Sequence, residues 1–311
     1  MAELTYTVPP SFEGDTVQNF LRRGCGLSWR MVVKLKRVEQ GITLDGAGAR
    51  TIDRVRAGQT VRLRLPKDQL RIDAVDMPLD IVYEDSDLLL VNKPPYLAVH
   101  PSAGLPDPTL ANGVVAHYRR QGEERSFRPV NRLDRNTSGL LLAAKNAHAA
   151  FAMTGRVHKE YLALALGKMQ GSGRVDQPIR VKEGCCITRE VGEGGKPSVT
   201  HWQALASDGR LTLLRLWLET GRTHQIRVHM AWLGHPLAGD TMYGPDDTIL
   251  PRQGLHCFYM AFCHPITGQE LDFLAPLPED MRACAAGIPS AAECLQQLMK
   301  SPIPRLEGDA L

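Results

Sequence analysis

Alternation of polar and apolar positions opens the chain's description. Residues 60–65 run Thr-Val-Arg-Leu-Arg-Leu, which suits a half-buried strand with basic residues on its outward face. Ahead of it, Asp15 followed three residues later by Gln18 has the form of a helix start, with Val17, Phe20 and Leu21 as one apolar face and Gly24 and Gly26 as the stop. Ser28 is placed to cap a second helix, in which Met31, Leu35 and Val38 make an apolar stripe. Arg30, Lys34 and Arg37 repeat at the same spacing and make a neighbouring cationic stripe, the arrangement that tracks phosphates. Residues 41–46 read as a strand and turn, and the polar, proline-flanked segment 66–78 reads as a linker.

The remainder reads as strands with helices beside them. Residues 81–83 and 88–92, separated by Asp85-Ser86-Asp87, predict a hairpin, and 109–118 and 147–156 predict helices. The short run 127–130 precedes a polar stretch, and the apolar run 140–144 after it has the length of a buried strand. Alternation across 159–163 puts Tyr161 and Ala163 on one face of another strand. Residues 171–200, rich in glycine and charge, predict a surface excursion with short strands, and 211–218 a clear strand. Thr223 is placed to cap a helix with Ile226, Met230 and Leu233 on its buried face, closed by Gly234 and Pro236, with His224 and Arg227 sharing a different face. Ser290 and Glu293 predict a capping box for a last helix, and the tail beyond Pro302 is expected to be disordered.

At 311 residues two domains are expected. Hydrophobic residues make up 43% and charged residues 23%, values ordinary for a globular chain and unlike a disordered one. No apolar run approaches the roughly 20 residues that cross a bilayer, and the first ten residues lack a secretory pattern, so a cytoplasmic location without a membrane partner is expected. Seven cysteines are scattered without a Cys-x-x-Cys pair, and ten histidines are dispersed, so neither a disulfide framework nor a metal is expected. The net charge of +3 conceals an asymmetry: residues 1–67 carry 12 Lys and Arg against 6 Asp and Glu. That basic front points to nucleic acid.

The densest polar chemistry is Asn131-Arg132-Leu133-Asp134-Arg135-Asn136-Thr137-Ser138-Gly139, a loop with one carboxylate between two arginines, entering a buried strand. Its core, Arg-Leu-Asp-x-x-Thr-Ser-Gly-Leu, resembles the signature of the RluA-type pseudouridine synthases, although Asn131 stands where that family usually has His. Lys159-Glu160-Tyr161-Leu162-Ala163 resembles the family's second motif, and Thr220-Gly221-Arg222-Thr223-His224-Gln225-Ile226-Arg227-Val228-His229 its third. Asn92-Lys93-Pro94, His100-Pro101, and the segments around Leu255-His256 and 262–278 resemble its flanking blocks, with Lys93 taken as packing or substrate-lining. Residues 13–65 resemble the small RNA-binding domain first described in ribosomal protein S-four.

The resemblance implies an α+β fold: a mixed, mainly antiparallel sheet with flanking helices (79–285), a small N-terminal α/β RNA-binding domain (1–67), a linker (68–78), and a C-terminal helix and tail (286–311). It implies an isomerase that breaks the carbon to nitrogen bond of a uridine, turns the uracil and rejoins it through carbon 5, without a cofactor. Asp134 is the expected catalytic carboxylate, Arg227 its ion-pair partner, and Tyr161 the residue that packs on the base and assists loss of the carbon 5 proton. Arg132, Arg222, His224, Arg30, Lys34 and Arg37 are the expected RNA contacts. Ribosomal RNA is the favoured partner, transfer RNA the alternative, and a monomer is expected. The rival readings are an inactive RNA-binding protein of the same fold, motivated by Asn131 and the basic front, and a metal-dependent hydrolase, motivated by the histidine count alone.

Overall fold

The computed structural model describes residues 3–64, 72–102, 108–245 and 249–300. The first part comprises β1 (Glu3–Thr7), α1 (Val17–Asn19) running into a π-helical turn (Phe20–Gly24), α2 (Trp29–Leu35), β2 (Ile42–Leu44), β3 (Ala47–Gly48) and β4 (Thr60–Arg64). Its strands pair antiparallel in the order β1-β4-β2-β3, and Val17, Phe20, Leu21, Val32 and Leu35 pack on Ile42, Val61 and Leu63 as a core of their own. The sequence reading missed β1, whose residues alternate between exposed and half-buried and so carry no buried stripe. It also put the first helix start one residue early. Thr16 is the cap, its side chain accepting from Asn19 N, while Asp15 accepts from Thr16 N and the Asn19 amide. Ser28 does cap α2. That helix stops at Leu35, so Lys34 is on it and Arg37 lies beyond in a turn, both exposed; the expected continuous cationic stripe is broken there, and the Arg30 side chain lies outside the described residues.

The second part holds β5 (Ile81–Glu84), β6 (Leu88–Lys93), α3 (Leu110–Arg120), β7 (Arg128–Pro129), β8 (Ser138–Ala144), α4 (Ala147–Ala152), β9 (Val157–Leu166) and β10 (Ser172–Asp176). It continues through β11 (Ile179–Val181), β12 (Arg189–Val191), β13 (Val199–Ser207), β14 (Leu211–Leu218), α5 (Gln225–Trp232), β15 (Leu255–Cys263), β16 (Glu270–Leu274), α6 (Glu279–Ala285) and α7 (Ala291–Lys300). One sheet runs β10-β13-β14-β9-β15-β8-β6-β5, with β16 on β15 and β7 on β8. Among the described residues every pairing in it is antiparallel except β15 with β8. The fold is thus α+β with a mixed, mainly antiparallel sheet. Burial on both faces explains why residues 140–144 of β8 read as an unbroken apolar run and why β15 is apolar apart from His256. One face packs Leu110, Val114, Val115 and Tyr118 of α3. The other packs Met281 and Ala285 of α6 and Leu295 and Leu298 of α7.

Other expectations need adjusting. The segment taken as linker is, from Ile72 onward, joined to the second part: Ile72 and Ala74 pack on its core, Val75 N donates to Asn112 O, and the Asn112 amide donates to Asp73 O. Residues 65–71 and the tail beyond 300 lie outside the described residues. The helix expected at 147–156 ends at Ala152, α6 was not foreseen, and Ser290 has a left-handed φ of 63° with its carbonyl accepting from Cys294 N. No described helix is long and apolar enough to cross a membrane.

The parallel contact between β8 and β15 pairs Ser138 with His256 and Gly139 with Cys257. Gly139 has φ 109°, and a Cβ there would collide with the backbone of Cys257. Both the backbone angle and the close approach demand glycine. Gly139→Ala is expected to cost about 3 kcal/mol or more, strain and overpacking together, read as a drop in the denaturation midpoint. A loss under about 1 kcal/mol would mean that the two strands are not held this tightly.

Candidate active site

The loop between β7 and β8 is fastened before it is functional. Asn131 is buried and clasps β8, its Oδ1 accepting from Leu142 N at 2.8 Å and its Nδ2 donating to Leu140 O at 3.3 Å. Within the loop Thr137 N donates to Asp134 O. Three buried side chains hold it from behind. Lys93 Nζ donates to Arg135 O at 3.0 Å and to Pro94 O and Leu97 O at 2.9 Å; Arg252 Nη1 donates to Asn136 O at 3.0 Å; Gln253 Nε2 donates to Thr137 Oγ1 at 3.2 Å. Burial, with the Arg252 charge behind it, pulls the Lys93 ammonium down to about 7 while Asp134 opposes that fall. Arg252 is fixed in turn by a two-pronged pair with Asp280. Lys93 therefore packs and braces the loop.

What this loop presents is Asp134, whose side chain is 25% exposed. Arg227 Nη1 on α5 donates to its Oδ2 at 3.1 Å. The same guanidinium makes two further bonds to Asp240, Nε to Oδ2 at 2.7 Å and Nη2 to Oδ1 at 2.8 Å, and lies over the Tyr243 ring at 5.0 Å. Burial disfavours the Arg227 charge, but the hydrogen bonds and charge of Asp240, aided by Asp134, more than offset this and raise its pKa. A permanent cation thus faces Asp134. The helix starts one residue later than the expected Thr223 cap: His224 occupies the N-cap in a left-handed conformation, φ 58°, and makes no side-chain cap bond. Its ring reaches Asp134 Oδ2 at 3.9 Å through Nε2 and Tyr243 Oη at 2.8 Å through Nδ1.

Tyr161 on β9 stands opposite Cys257 of β15 and is 6% exposed. Burial, then the charges of Cys257 and Asp134, push its phenol well above the usual range, so it offers an aromatic face and a protonated hydroxyl and no resting phenolate. Arg132, Asp134, Tyr161, Arg222, His224 and Arg227 line one cleft of about 350 Å³, together with Leu133, Leu218, Ile226 and Leu255. Six of the nine expected site residues therefore converge. Arg132 and Arg222 are exposed at the rim, Arg222 Nε donating to Pro197 O. Lys34 and Arg37 lie in the front part and outside the cleft lining.

A narrow cleft with aromatic and apolar walls and a fixed carboxylate suits a planar base joined to a sugar. The residues 87–232 match the family model described as RNA pseudouridylate synthase. Over 270 residues the chain is 38% identical to the uncharacterized RNA pseudouridine synthase YjbO of Bacillus subtilis, covering 84% of this chain and 95% of that protein. The chain belongs to this family. It is also 38% identical over 300 residues to ribosomal large subunit pseudouridine synthase D of Escherichia coli, covering 90% of this chain and 92% of that one. Among solved structures it resembles human RNA pseudouridylate synthase domain containing 1, with a TM-score of 0.55 and 30% identity over 73% of this chain and 97% of that one.

Sequence reasoning missed Asp240 and Tyr243. The available signal was a lone carboxylate after Leu237-Ala238-Gly239, an apolar stretch in which no solvated Asp is expected. His229, which shares the motif with His224, turns instead to Thr200 Oγ1 and Gln177 O. Asp85, Asp87 and His264 approach one another at the β5–β6 turn, but Asp85 accepts from Asp87 N, Leu88 N and the Tyr83 hydroxyl, and His264 Nδ1 from Ile266 N and Thr267 N.

Two measurements follow from this geometry. Asp240→Ala leaves a buried guanidinium without its principal partner and is expected to cost about 3 kcal/mol, whereas Asp134→Ala, at a part-exposed position, is expected to change stability by about 1 kcal/mol or less; chemical denaturation separates them. His256, buried between Ser138 Oγ and Ala275 O, is held down to about 4, chiefly by burial. The unfolded chain then binds the extra proton between about pH 6.5 and 4, so stability is full above that window and falls within it as pH drops, by roughly 1.4 kcal/mol per unit at most. Wild type and His256→Gln compared across that range should converge as the pH falls; parallel curves would refute the assignment.

Proposed function

We propose that the protein converts uridine to pseudouridine in RNA, with Asp134 as the catalytic carboxylate. The observation that carries this reading is the position of Asp134: its carboxylate projects into the cleft, and its side-chain partner there is a guanidinium already anchored elsewhere. Such a group is held in one orientation while an oxygen stays open to a substrate. Whether it attacks the sugar or removes a sugar proton to give a glycal, the same carboxylate is used. Arg227 orients it, and Tyr161 supplies the face on which the uracil packs. A stacked uridine must leave its helix to enter so narrow a cleft, and the exposed Arg132 at the rim assists that extraction.

The front part, with its balance of six excess positive charges, supplies salt-dependent affinity as an S-four-like RNA-binding domain, with Lys34 and Arg37 among its exposed cations. Arg30 belongs to the same stretch, and Arg222 and His224 are further contacts at the cleft itself. Large-subunit ribosomal RNA is the favoured substrate, supported by the relatives named for that activity and by the added basic domain, with transfer RNA as the alternative. A cytoplasmic monomer acting without cofactor or metal completes the reading. The inactive-binder rival loses one of its two motives, since Asn131 serves β8, and the basic front that supplied the other suits an RNA-modifying enzyme equally well.

Pseudouridine mapping of ribosomal and transfer RNA from cells lacking the protein should show discrete uridines unmodified, restored by the intact chain and not by Asp134→Asn. Restoration by the Asn variant would remove Asp134 from its assigned role.

A further inference from the structure

Beside Asp134, Tyr161 and Arg227 the cleft holds an imidazole, His224, so far given only as an RNA contact. His224 is held in a left-handed backbone conformation that side chains other than glycine seldom adopt, and its ring edge faces the cleft beside Asp134. One arrangement of hydrogens gives each group around it a complementary partner. Arg189 N donates to Tyr243 Oη at 2.9 Å, so that oxygen already accepts a hydrogen bond, and His224 Nδ1 lies 2.8 Å away as an acceptor for the phenol's own proton. With Nδ1 accepting, Nε2 carries the hydrogen, and Nε2 is the atom turned to Asp134. The charged and titratable groups facing the ring are Asp134 from the loop before β8, Arg227 on its own helix, Arg189 on β12, and Asp240 and Tyr243 after α5. Burial, with Arg227 and Arg189, outweighs the two carboxylates and keeps the imidazole below its ordinary value, hence neutral near pH 7.

We propose that His224 is a further catalytic residue, a neutral imidazole whose Nε2–H donates a hydrogen bond to a carbonyl oxygen of the uracil as it leaves the sugar, with Tyr243 as the positioning residue that fixes its tautomer. This rests on the isomerase reading of Asp134. When the bond from the sugar carbon to N1 breaks, its electron pair goes to the uracil and spreads onto N1 and the carbonyl oxygens. That negative charge develops beside the charge of Asp134 and needs a donor. An imidazolium would serve poorly, because it would pair with Asp134 and withdraw the carboxylate from the sugar. A neutral N–H stabilises the departing base without that competition. Rejoining then forms the bond from carbon 5 to the sugar, carbon 5 loses a proton and N1 gains one, and His224 ends as it began.

The test uses the full chain. Nitrogen-15 NMR of the imidazoles without RNA should show His224 neutral at pH 7 with the proton on Nε2, and Tyr243→Phe, which keeps the ring under Arg227, should give a mixture of tautomers. Single-turnover conversion of an unmodified large-subunit ribosomal RNA transcript should slow roughly a hundredfold in His224→Ala. His224→Gln, with the same left-handed backbone to bear but an amide donor in place, should recover most of that loss, and, because the contact of His224 with the RNA is to the base and strengthens only as charge develops there, RNA affinity should change less than about twofold in both. A proton on Nδ1, an imidazolium at pH 7, or equal rates for the Gln and Ala variants overturns the proposal. If Asp134→Asn is inactive while His224→Ala turns over at the wild-type rate, this inference alone falls. Turnover by Asp134→Asn brings down the reading beneath it.

Discussion

One buried guanidinium sets the terms for the rest of the site. Arg227 is removed from water at a cost that its two bonds to the fully buried Asp240 offset, and only its remaining Nη1 is spent on Asp134. The asymmetry matters electrostatically. Were Arg227 paired with Asp134 alone, the carboxylate would be neutralised by its own support. With Asp240 already balancing the arginine, the trio carries an excess negative charge, and that charge resides on the member that reaches the cleft. The exposed arginines at the rim then acquire a purpose, because an RNA backbone approaching the net negative trio requires cations ahead of it.

Placing a carboxylate to within tenths of an ångström requires a rigid loop, and this loop is rigid because its peptide carbonyls are held from inside the protein. Lys93 binds the carbonyl of Arg135, and Arg252 binds that of Asn136, so consecutive peptides are tied to two buried basic side chains distant in sequence, cations when both are protonated. Both cations sit behind the parallel crossing of β8 and β15, where Gly139 lets the strands approach and Ser138 meets His256. Burying two cations is costly in a small protein. It is tolerated here because each satisfies several carbonyl oxygens that would otherwise be unpaired at a loop end.

Local chemistry was largely legible in the sequence and long-range pairing was not. The strands from β5 to β9 and the loop with Asp134 could be read because apolar runs and turns are contiguous, whereas the meeting of Tyr161 and Arg227 with that loop was expected from the family resemblance of their motifs alone. Asp240 could not be read, since its function depends on a guanidinium thirteen residues away across a helix and a turn. Arg252 looks like a surface cation on paper, yet its exposure is 1%, and Lys93, expected to pack or to line the substrate site, is 0% exposed. Asn131 looked like a weakened catalytic position and proved to be a clasp on β8. The cap at Thr223 failed for a physical reason: His224 takes a strained backbone to point its ring into the cleft, and propensity has no means of anticipating strain.

The separation of affinity from chemistry follows from where the charges lie. The cations of the front part are mostly exposed, so they bind phosphates at long range and lose strength with salt. At the site, Arg227 is buried and insensitive to it, whereas the exposed Arg132 and Arg222 at the rim share that salt dependence. Among the described residues the two parts meet where Tyr6 Oη approaches His148 at 3.4 and 3.5 Å and Ala147 packs against the front core. Phosphate contacts carry no sequence information, so the exposed cations of the front part do not select one uridine among its neighbours. On the proposed reading that selection falls to the cleft, where the nucleotide must fit between the Tyr161 face, the Asp134 oxygen and the imidazole edge of His224 at once.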